Sequence, residues 1–267
     1  LDYRFSPEVL AYATVSTGFK GGGVTARPFN AAQARLGVFG PETLTAYEVG
    51  LKTDLFGRRL RVNLAGFIND YKDVQLQIQD CSNYGGGPIC AVIANAGDAR
   101  FKGVEAEFTA RPIDGLDIDG SVSYIHAKWK RLSPAVIGDP ATRPNGVFLD
   151  DPATSAPKWK ASAGVQYRID LGASGSLTPR ADYSYTGRRF QSRAALVPYY
   201  LPSYSLVNAS LTWRDKDEKF AVILEARNLT KEYYYTARFD ALFLPTGTTF
   251  STVGRPREFI LKARYSF

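Results

Sequence analysis

The chain has 267 residues, 45% of them hydrophobic and 22% charged, and Lys plus Arg (33) outnumber Asp plus Glu (26) for a formal charge of +7. It holds one His and two Cys, which disfavours a zinc or multi-histidine centre, and no apolar run nears the roughly 18–20 residues of a membrane helix. High apolar content with mixed charge excludes disorder, and Lys and Arg recur singly between apolar neighbours, a spread that does not point to nucleic acid.

The first five residues, Leu1-Asp2-Tyr3-Arg4-Phe5, lack both a starting Met and the apolar centre of a signal peptide, so the chain is expected to be a piece of something longer. From there period-two alternation predicts about ten strands, over 8–19, 43–55, 59–72, 99–111, 116–129, 158–169, 176–188, 204–213, 219–229 and 257–267. Around 46–55, Tyr47, Val49, Leu51 and Leu55 oppose Glu48, Lys52 and Asp54. In 158–168, Trp159, Ala161, Ala163, Val165 and Tyr167 oppose Lys158, Lys160 and Arg168. In 219–228, Phe220, Val222, Leu224 and Ala226 oppose Lys219, Glu225 and Arg227, and the last segment repeats the pattern from Phe259 to Phe267. Helical spacing would scatter these charges around a cylinder, whereas a strand sorts them onto one side. The apolar faces are expected to carry essentially no charge.

Alternation also occurs in soluble sandwiches, so the connections decide. Short turns (56–58, 112–115, 170–175, 214–218) alternate with long ones (20–42, 73–98, 130–157, 189–203, 230–256). That is the pattern of an all-β, transmembrane, antiparallel up-and-down β-barrel with short periplasmic turns and long extracellular loops. Strands of this length suit a tilted crossing of the hydrocarbon. The uncharged face then meets lipid, and Trp129, Trp159, Trp213, Tyr204, Tyr265 and Phe267 are expected in the interfacial girdles. One sheet over 1–267, with no internal domain boundary, is the predicted organisation. Cys81 and Cys90 flank a Gly-rich stretch; a disulfide closing that short loop suits an oxidising compartment, with two separate free thiols as the alternative.

The chain resembles the C-terminal part of the barrel of TonB-dependent outer-membrane receptors. The resemblance runs from about Phe5 to Phe267 and is carried by 12–20 (YATVSTGFK), 42–57 (ETLTAYEVGLKTDLFG), 95–107 (NAGDARFKGVEAE), 208–213 (NASLTW), 227–233 (RNLTKEY) and 254–259 (GRPREF). Each piece is weakly specific; their order and spacing together are strongly so. The resemblance implies the last ten strands of a twenty-two-stranded barrel, integral to the outer membrane of a Gram-negative bacterium. It implies contact with outer-membrane lipid and lipopolysaccharide, and energy coupling to the TonB complex through an N-terminal plug that these residues do not include. It implies import of a scarce solute, foremost a ferric siderophore, and neither enzymatic activity nor a cofactor. A terminal aromatic on an alternating last strand resembles the signal read by the barrel assembly machinery, which assigns that role to Phe259, Tyr265 and Phe267; a girdle role for Phe267 fits equally.

Candidate ligand contacts are polar and aromatic residues of the long loops: Arg188, Arg189, Arg193, Tyr199, Tyr200 and Tyr204, then Tyr233, Tyr234, Tyr235 and Arg238. Arg presents planar, permanently charged donors to carboxylate, catecholate or hydroxamate oxygens, and Tyr adds rigid surface with one polar tip. Charges on the other face (Glu48, Lys52, Glu105, Glu107, Lys160, Arg180, Asp182, Glu225, Arg227, Lys262, Arg264) are expected to line the lumen. Glu105 and Glu107 are not read as a catalytic pair, since a wet lumen does not separate their protonation. His126 lacks triad partners, and the glycine runs at 21–23 and 85–87 lack the following Lys-Ser/Thr of a phosphate loop. A passive porin-like channel and a soluble all-β binding domain remain as alternatives.

Overall fold

In the computed structural model the described residues are 1–25, 31–35, 37–78, 92–134, 136, 147–152, 155–190, 200–241 and 248–267. Eleven strands form one antiparallel meander in strict chain order. They are β1 (Asp2–Ser6), β2 (Val9–Lys20), β3 (Glu42–Leu55), β4 (Leu60–Lys72), β5 (Gly97–Ala110), β6 (Leu116–Leu132), β7 (Trp159–Tyr167), β8 (Ser176–Thr186), β9 (Tyr204–Arg214), β10 (Phe220–Arg227) and β11 (Glu258–Tyr265). A twelfth piece, Ile169–Asp170, continues the line of β7 along β8. The predicted strands are all present. The additional one is β1, whose Tyr3 and Phe5 alternate with Asp2 and Arg4 and which pairs with β2 across a tight turn. Five residues of alternation are too few to separate from chance in sequence. No helix among the described residues is long and apolar enough to cross a membrane.

Cross-strand partners share a face, so the register sorts every rung of the sheet. One run of outer partners reads Leu51, Leu64, Ala106, Val122, Ala161 and Tyr185; the adjacent inner run reads Lys52, Asn63, Glu107, Ser121, Ser162 and Ser184. The outer residues have no second layer over them: Val49 is 61% exposed, Leu64 44%, Val104 57% and Leu261 73%. A soluble sandwich would bury this face against another sheet, and an apolar surface of such extent marks contact with something other than water. The main buried cluster instead lies toward the long-loop end, where Ala96, Ala99, Trp129 and Leu132 pack with Val136 and Val147. β1 and β11 each pair on one side only among the described residues.

The inner face is polar and cross-linked. The Tyr12 hydroxyl donates to Glu48 at 2.6 Å, and its ring lies over Gly50, where a Cβ would collide with it. Arg61 pairs with Asp54 at 2.6 Å, Arg111 with Asp117 at 2.6 Å, and Arg227 and Lys262 both engage Glu225. Arg180 joins Asp119 at 2.9 Å to Asp182 at 2.6 Å. The lumenal charges expected from sequence at Glu48, Arg180, Asp182, Glu225, Arg227 and Lys262 are therefore in place and paired.

Two expectations need correction. Trp129 and Tyr204 are not girdle residues: Trp129 is buried in the inner cluster, and Tyr204 stacks on Tyr234 with ring centroids 4.5 Å apart. Both fall on the inner parity of their strands. Trp159 and Trp213 do lie on the outer parity near strand ends, Trp213 donating its indole N–H to the Ser174 carbonyl at 2.9 Å. The outer face is also not charge-free throughout. At the long-loop ends of β4, β5 and β6 it carries Asp70, Lys72, Arg100, Lys102 and Lys128. β6 is 17 residues long, against the roughly 9–11 needed to cross hydrocarbon, so these ends project beyond it.

Leu64 and Asn63 are neighbours on opposite faces. Leu64→Lys should lower the unfolding free energy in lipid vesicles by about 2–4 kcal/mol. Asn63→Lys, set between Glu107 and Lys52, should leave it nearly unchanged. Equal denaturant midpoints for the two variants would contradict the face assignment.

Candidate functional site

The long connections extend the sheet as small hairpins: Gly23–Val24 with Val38–Phe39, Gln75–Ile78 with Val92–Asn95, Arg189–Phe190 with Tyr200–Leu201, and Tyr235–Ala241 with Thr248–Val253. Side-chain amides fasten their bases. Gln75, buried, donates its amide to Gly21 and Gly40 carbonyls at 2.9 and 3.0 Å, while Glu42 accepts its backbone N–H at 2.7 Å. Asn95 donates to Gly40 and Asp73 carbonyls and accepts from the Gly40 N–H. The loops 21–41 and 73–96 thus share one hydrogen-bonded base.

Asn228 does the same for the loop that follows β10. It is buried, at φ 49°, a left-handed conformation Asn tolerates better than most residues. Its Nδ2 donates to the Glu232 and Arg255 carbonyls at 2.8 and 3.1 Å, and its Oδ1 accepts the Glu232 N–H at 2.7 Å. The Asn208 side chain accepts the Asn228 N–H at 2.9 Å. The 227–233 segment is therefore a clamp closing the loop on itself. Sequence reasoning passed over Gln75, Asn95 and Asn228 because an isolated amide in a loop carries no periodic signal.

Above that clamp two loops meet. Arg189, from the loop after β8, donates to the Thr236 carbonyl at 3.0 Å; Arg238, from the loop after β10, donates to the Tyr200 carbonyl at 3.0 Å and to the Ser251 hydroxyl at 3.1 Å. Each loop thus takes a guanidinium from the other. Arg189 also sits over the Tyr204 ring at 5.8 Å and Arg238 over Tyr235 at 5.0 Å. Gly254 lies against the Tyr234 ring so closely that a Cβ would overlap it, which lets Tyr234 stack on Tyr204. Arg188 stands 5.6 Å from the Tyr200 ring and 5.8 Å from Phe190, and makes no hydrogen bond or ion pair among the described residues. One Arg189 nitrogen, Nη1, is buried without a hydrogen-bond partner among the described residues. A cavity of about 240 Å³ opens beside Arg188, lined by Lys158, Trp159, Tyr185 and Phe190 among others.

The structure therefore gathers Arg188, Arg189, Tyr200, Tyr204, Tyr234, Tyr235 and Arg238 into one patch. Tyr233 is 69% exposed and meets Tyr235 edge-on at 5.5 Å; the neighbouring Tyr235 hydroxyl raises its phenol above the ordinary range. Arg193, Tyr199, Cys81 and Cys90 lie outside the described residues. Phe259 and Tyr265 sit on the exposed outer face of β11, and Phe267 follows the strand, edge-on to Tyr265 at 5.2 Å. Among the described residues no group of three or more His, Cys, Asp and Glu could hold a metal ion.

An antiparallel up-and-down meander with short turns at one end and long loops at the other is the strand pattern of an outer-membrane β-barrel. Residues 1–229 match the model of the family described as TonB dependent receptor-like, beta-barrel, and the chain belongs to that family. Among curated proteins, the metal-pseudopaline receptor CntO of Pseudomonas aeruginosa is 25% identical over 245 residues, which cover 92% of this chain and 30% of the relative. Among solved structures, the ferric yersiniabactin uptake receptor FyuA of Yersinia pestis superposes with a TM-score of 0.78 at 20% identity, covering 100% of this chain and 36% of that one. The ferric preacinetobactin receptor BauA of Acinetobacter baumannii gives 0.67 at 20% identity over 99% and 35%. At such identities the structural likenesses establish the fold. The chain spans about a third of the length of the relatives it matches. Family and fold are those of transport receptors, not of enzymes.

Replacing Asn228 by Ala should strand the Glu232 N–H and two carbonyls, a loss of about 2 kcal/mol at the loop base. Hydrogen exchange should accelerate at Glu232 and along 229–241 and 248–257 while β3 to β6 keep their protection; unchanged exchange at Glu232 would refute the clamp.

Proposed function

We propose that the chain forms part of an outer-membrane receptor that imports a ferric siderophore, with energy supplied through TonB by a plug outside these residues. The observation that carries this reading is the patch of Arg188, Arg189 and Arg238 set among Tyr200, Tyr204, Tyr234 and Tyr235 at the long-loop end. Siderophores present anionic oxygens around an iron they already coordinate, so the protein needs charge-assisted donors and flat apolar surface, not metal ligands. Among the described residues Arg189 and Arg238 hold the two loops together, and Arg188 is the guanidinium of the patch left to the ligand. Family membership favours this receptor over a passive porin, and the uncovered apolar face argues against a soluble domain. The name of the curated relative, metal-pseudopaline receptor, favours a second reading in which the same patch takes a chelate of another metal.

In this reading the protein is integral to the outer membrane of a Gram-negative bacterium, its exposed outer face in contact with lipid. The barrel assembly machinery would read β11, where Phe259 and Tyr265 present an exposed aromatic edge with Phe267 beyond it.

The test uses the full receptor, extracted in detergent, and ferric siderophores of the catecholate, hydroxamate and carboxylate classes, each also loaded with gallium or zinc. One class should bind, and Arg188→Ala should weaken it roughly tenfold or more, while Tyr233→Ala leaves affinity within twofold. Binding of no chelate, or indifference to Arg188→Ala, would refute the assignment; tighter binding of the zinc form would transfer it to the second reading.

A further inference from the structure

Arg188 is exposed, and a long exposed side chain carries much rotamer freedom that a ligand would have to remove. Here two rings restrain it. Phe190 and Tyr200 are register partners in the hairpin after β8, with ring centroids 6.3 Å apart. The Arg188 guanidinium lies 5.8 Å from the first and 5.6 Å from the second, close enough for cation–π attraction to both. Gly187 sets the starting point. It is buried, donates its N–H to the Trp159 carbonyl at 2.8 Å, and has no room for a Cβ, which would stand 2.9 Å from that same oxygen.

Each ring is itself held by a different neighbouring loop. On the Phe190 side, the Ser155 N–H of the loop after β6 donates to the Phe190 carbonyl at 2.6 Å. On the Tyr200 side, Arg238 of the loop after β10 donates its Nη1–H to the Tyr200 carbonyl at 3.0 Å. Arg238 is fixed in turn by its Nε–H to the Ser251 hydroxyl at 3.1 Å and by the Tyr235 ring 5.0 Å away. A charged donor makes a stronger bond to a carbonyl than a neutral one does. The cavity of about 240 Å³ is lined by Arg188 and Phe190, whereas Arg238 does not line it. Leu201, next to Tyr200, is fully buried, so the hairpin stays anchored when the Arg238 bond is lost.

We infer that Arg238 is a positioning residue for chelate binding: through the Tyr200 carbonyl it holds the ring that aims Arg188 at the ligand. That role rests on the reading that Arg188 meets a chelate, and it makes affinity depend on a side chain the ligand does not touch. A binding group ordered beforehand loses less freedom on association than one the ligand must order. The Arg238–Tyr200 bond therefore contributes to affinity only by way of Arg188.

The experiment is a double-mutant cycle on the full receptor in detergent, comparing Arg188→Ala, Arg238→Ala and the pair. Each protein is titrated calorimetrically with ferric complexes of a tris-catecholate, a tris-hydroxamate and citrate, and Kd is compared for the complex that the unaltered receptor binds most tightly. Arg238→Ala should weaken that complex about fivefold or more in the unaltered receptor and less than about twofold in the Arg188→Ala background. Arg238→Lys, which keeps one charged donor for the Tyr200 carbonyl, should recover most of the loss. Asn228→Ala loosens the base of the same loop without touching Tyr200, and its effect should be the same in both backgrounds. Fluorotyrosine at position 200 adds a reading without ligand: its fluorine resonance should shift on Arg188→Ala in the unaltered receptor and stay in place when Arg238 is already Ala. Equal losses from Arg238→Ala in the two backgrounds would mean that Arg238 touches the ligand or merely steadies its loop, and would overturn the inference. So would an Arg238→Ala protein that binds like the unaltered one, or no gain from Lys over Ala at that position. Failure of every complex to bind, or indifference to Arg188→Ala, would overturn the receptor reading and the inference with it. Heat-modified electrophoretic mobility confirms that each variant is folded.

Discussion

Hydrocarbon offers no partner to a backbone N–H or C=O, and the rest of this molecule follows from that constraint. A chain crossing it with strands must pair every one of them side by side, and consecutive side chains must then point to opposite faces. The alternation of Tyr47, Val49 and Leu51 with Glu48, Gly50 and Lys52 is the trace of that requirement in the primary structure. The meander of β1 to β11 satisfies it internally, leaving unpaired only the outer edges of β1 and β11 among the described residues.

The same constraint divides the chemistry. Outward, the register collects aliphatic and aromatic groups whose exposure would be untenable in water. Inward, it collects carboxylates and guanidinia dense enough to neutralise one another, as Arg180 does between Asp119 and Asp182. These pairs are partly exposed, and such pairs add little stability individually. Their effect is to hold the polar wall in one arrangement, with Tyr12 seated over Gly50 and bonded to Glu48. The loops are under a different rule, since their backbone groups have water and side-chain partners available. Buried amides from Gln75 and Asn228 give those loops fixed bases, and the reciprocal bonds of Arg189 and Arg238 join two of them into a single surface.

Departures from the simple two-face picture occur where strands outrun the membrane. Trp129 turns inward to a small core made with residues of the following loop, and Lys102 appears one rung from the uncharged pair Val104 and Tyr124 on the same face. Neither is an exception to the physics. Beyond the hydrocarbon, burial is decided by loop packing and charge by the headgroups and water, so strand parity still gives direction but no longer gives environment.

The order of the strands β2 to β11, their pairing and the face of most side chains within them were legible in the sequence, because a period of two, coupled to alternating short and long connections, leaves little freedom in a meander. So was the concentration of Arg and Tyr in the long connections after β8 and β10. The sequence could not show that Arg189 and Arg238 are engaged with opposite loops while Arg188 is not, that Tyr204 faces Tyr234, or that Asn228 closes its loop. Those facts depend on which groups meet across stretches of chain that have no repeat. Strand geometry is written locally, residue by residue; a loop's contacts are chosen by whatever the sheet brings within 3 Å of it, and only the folded chain makes that choice.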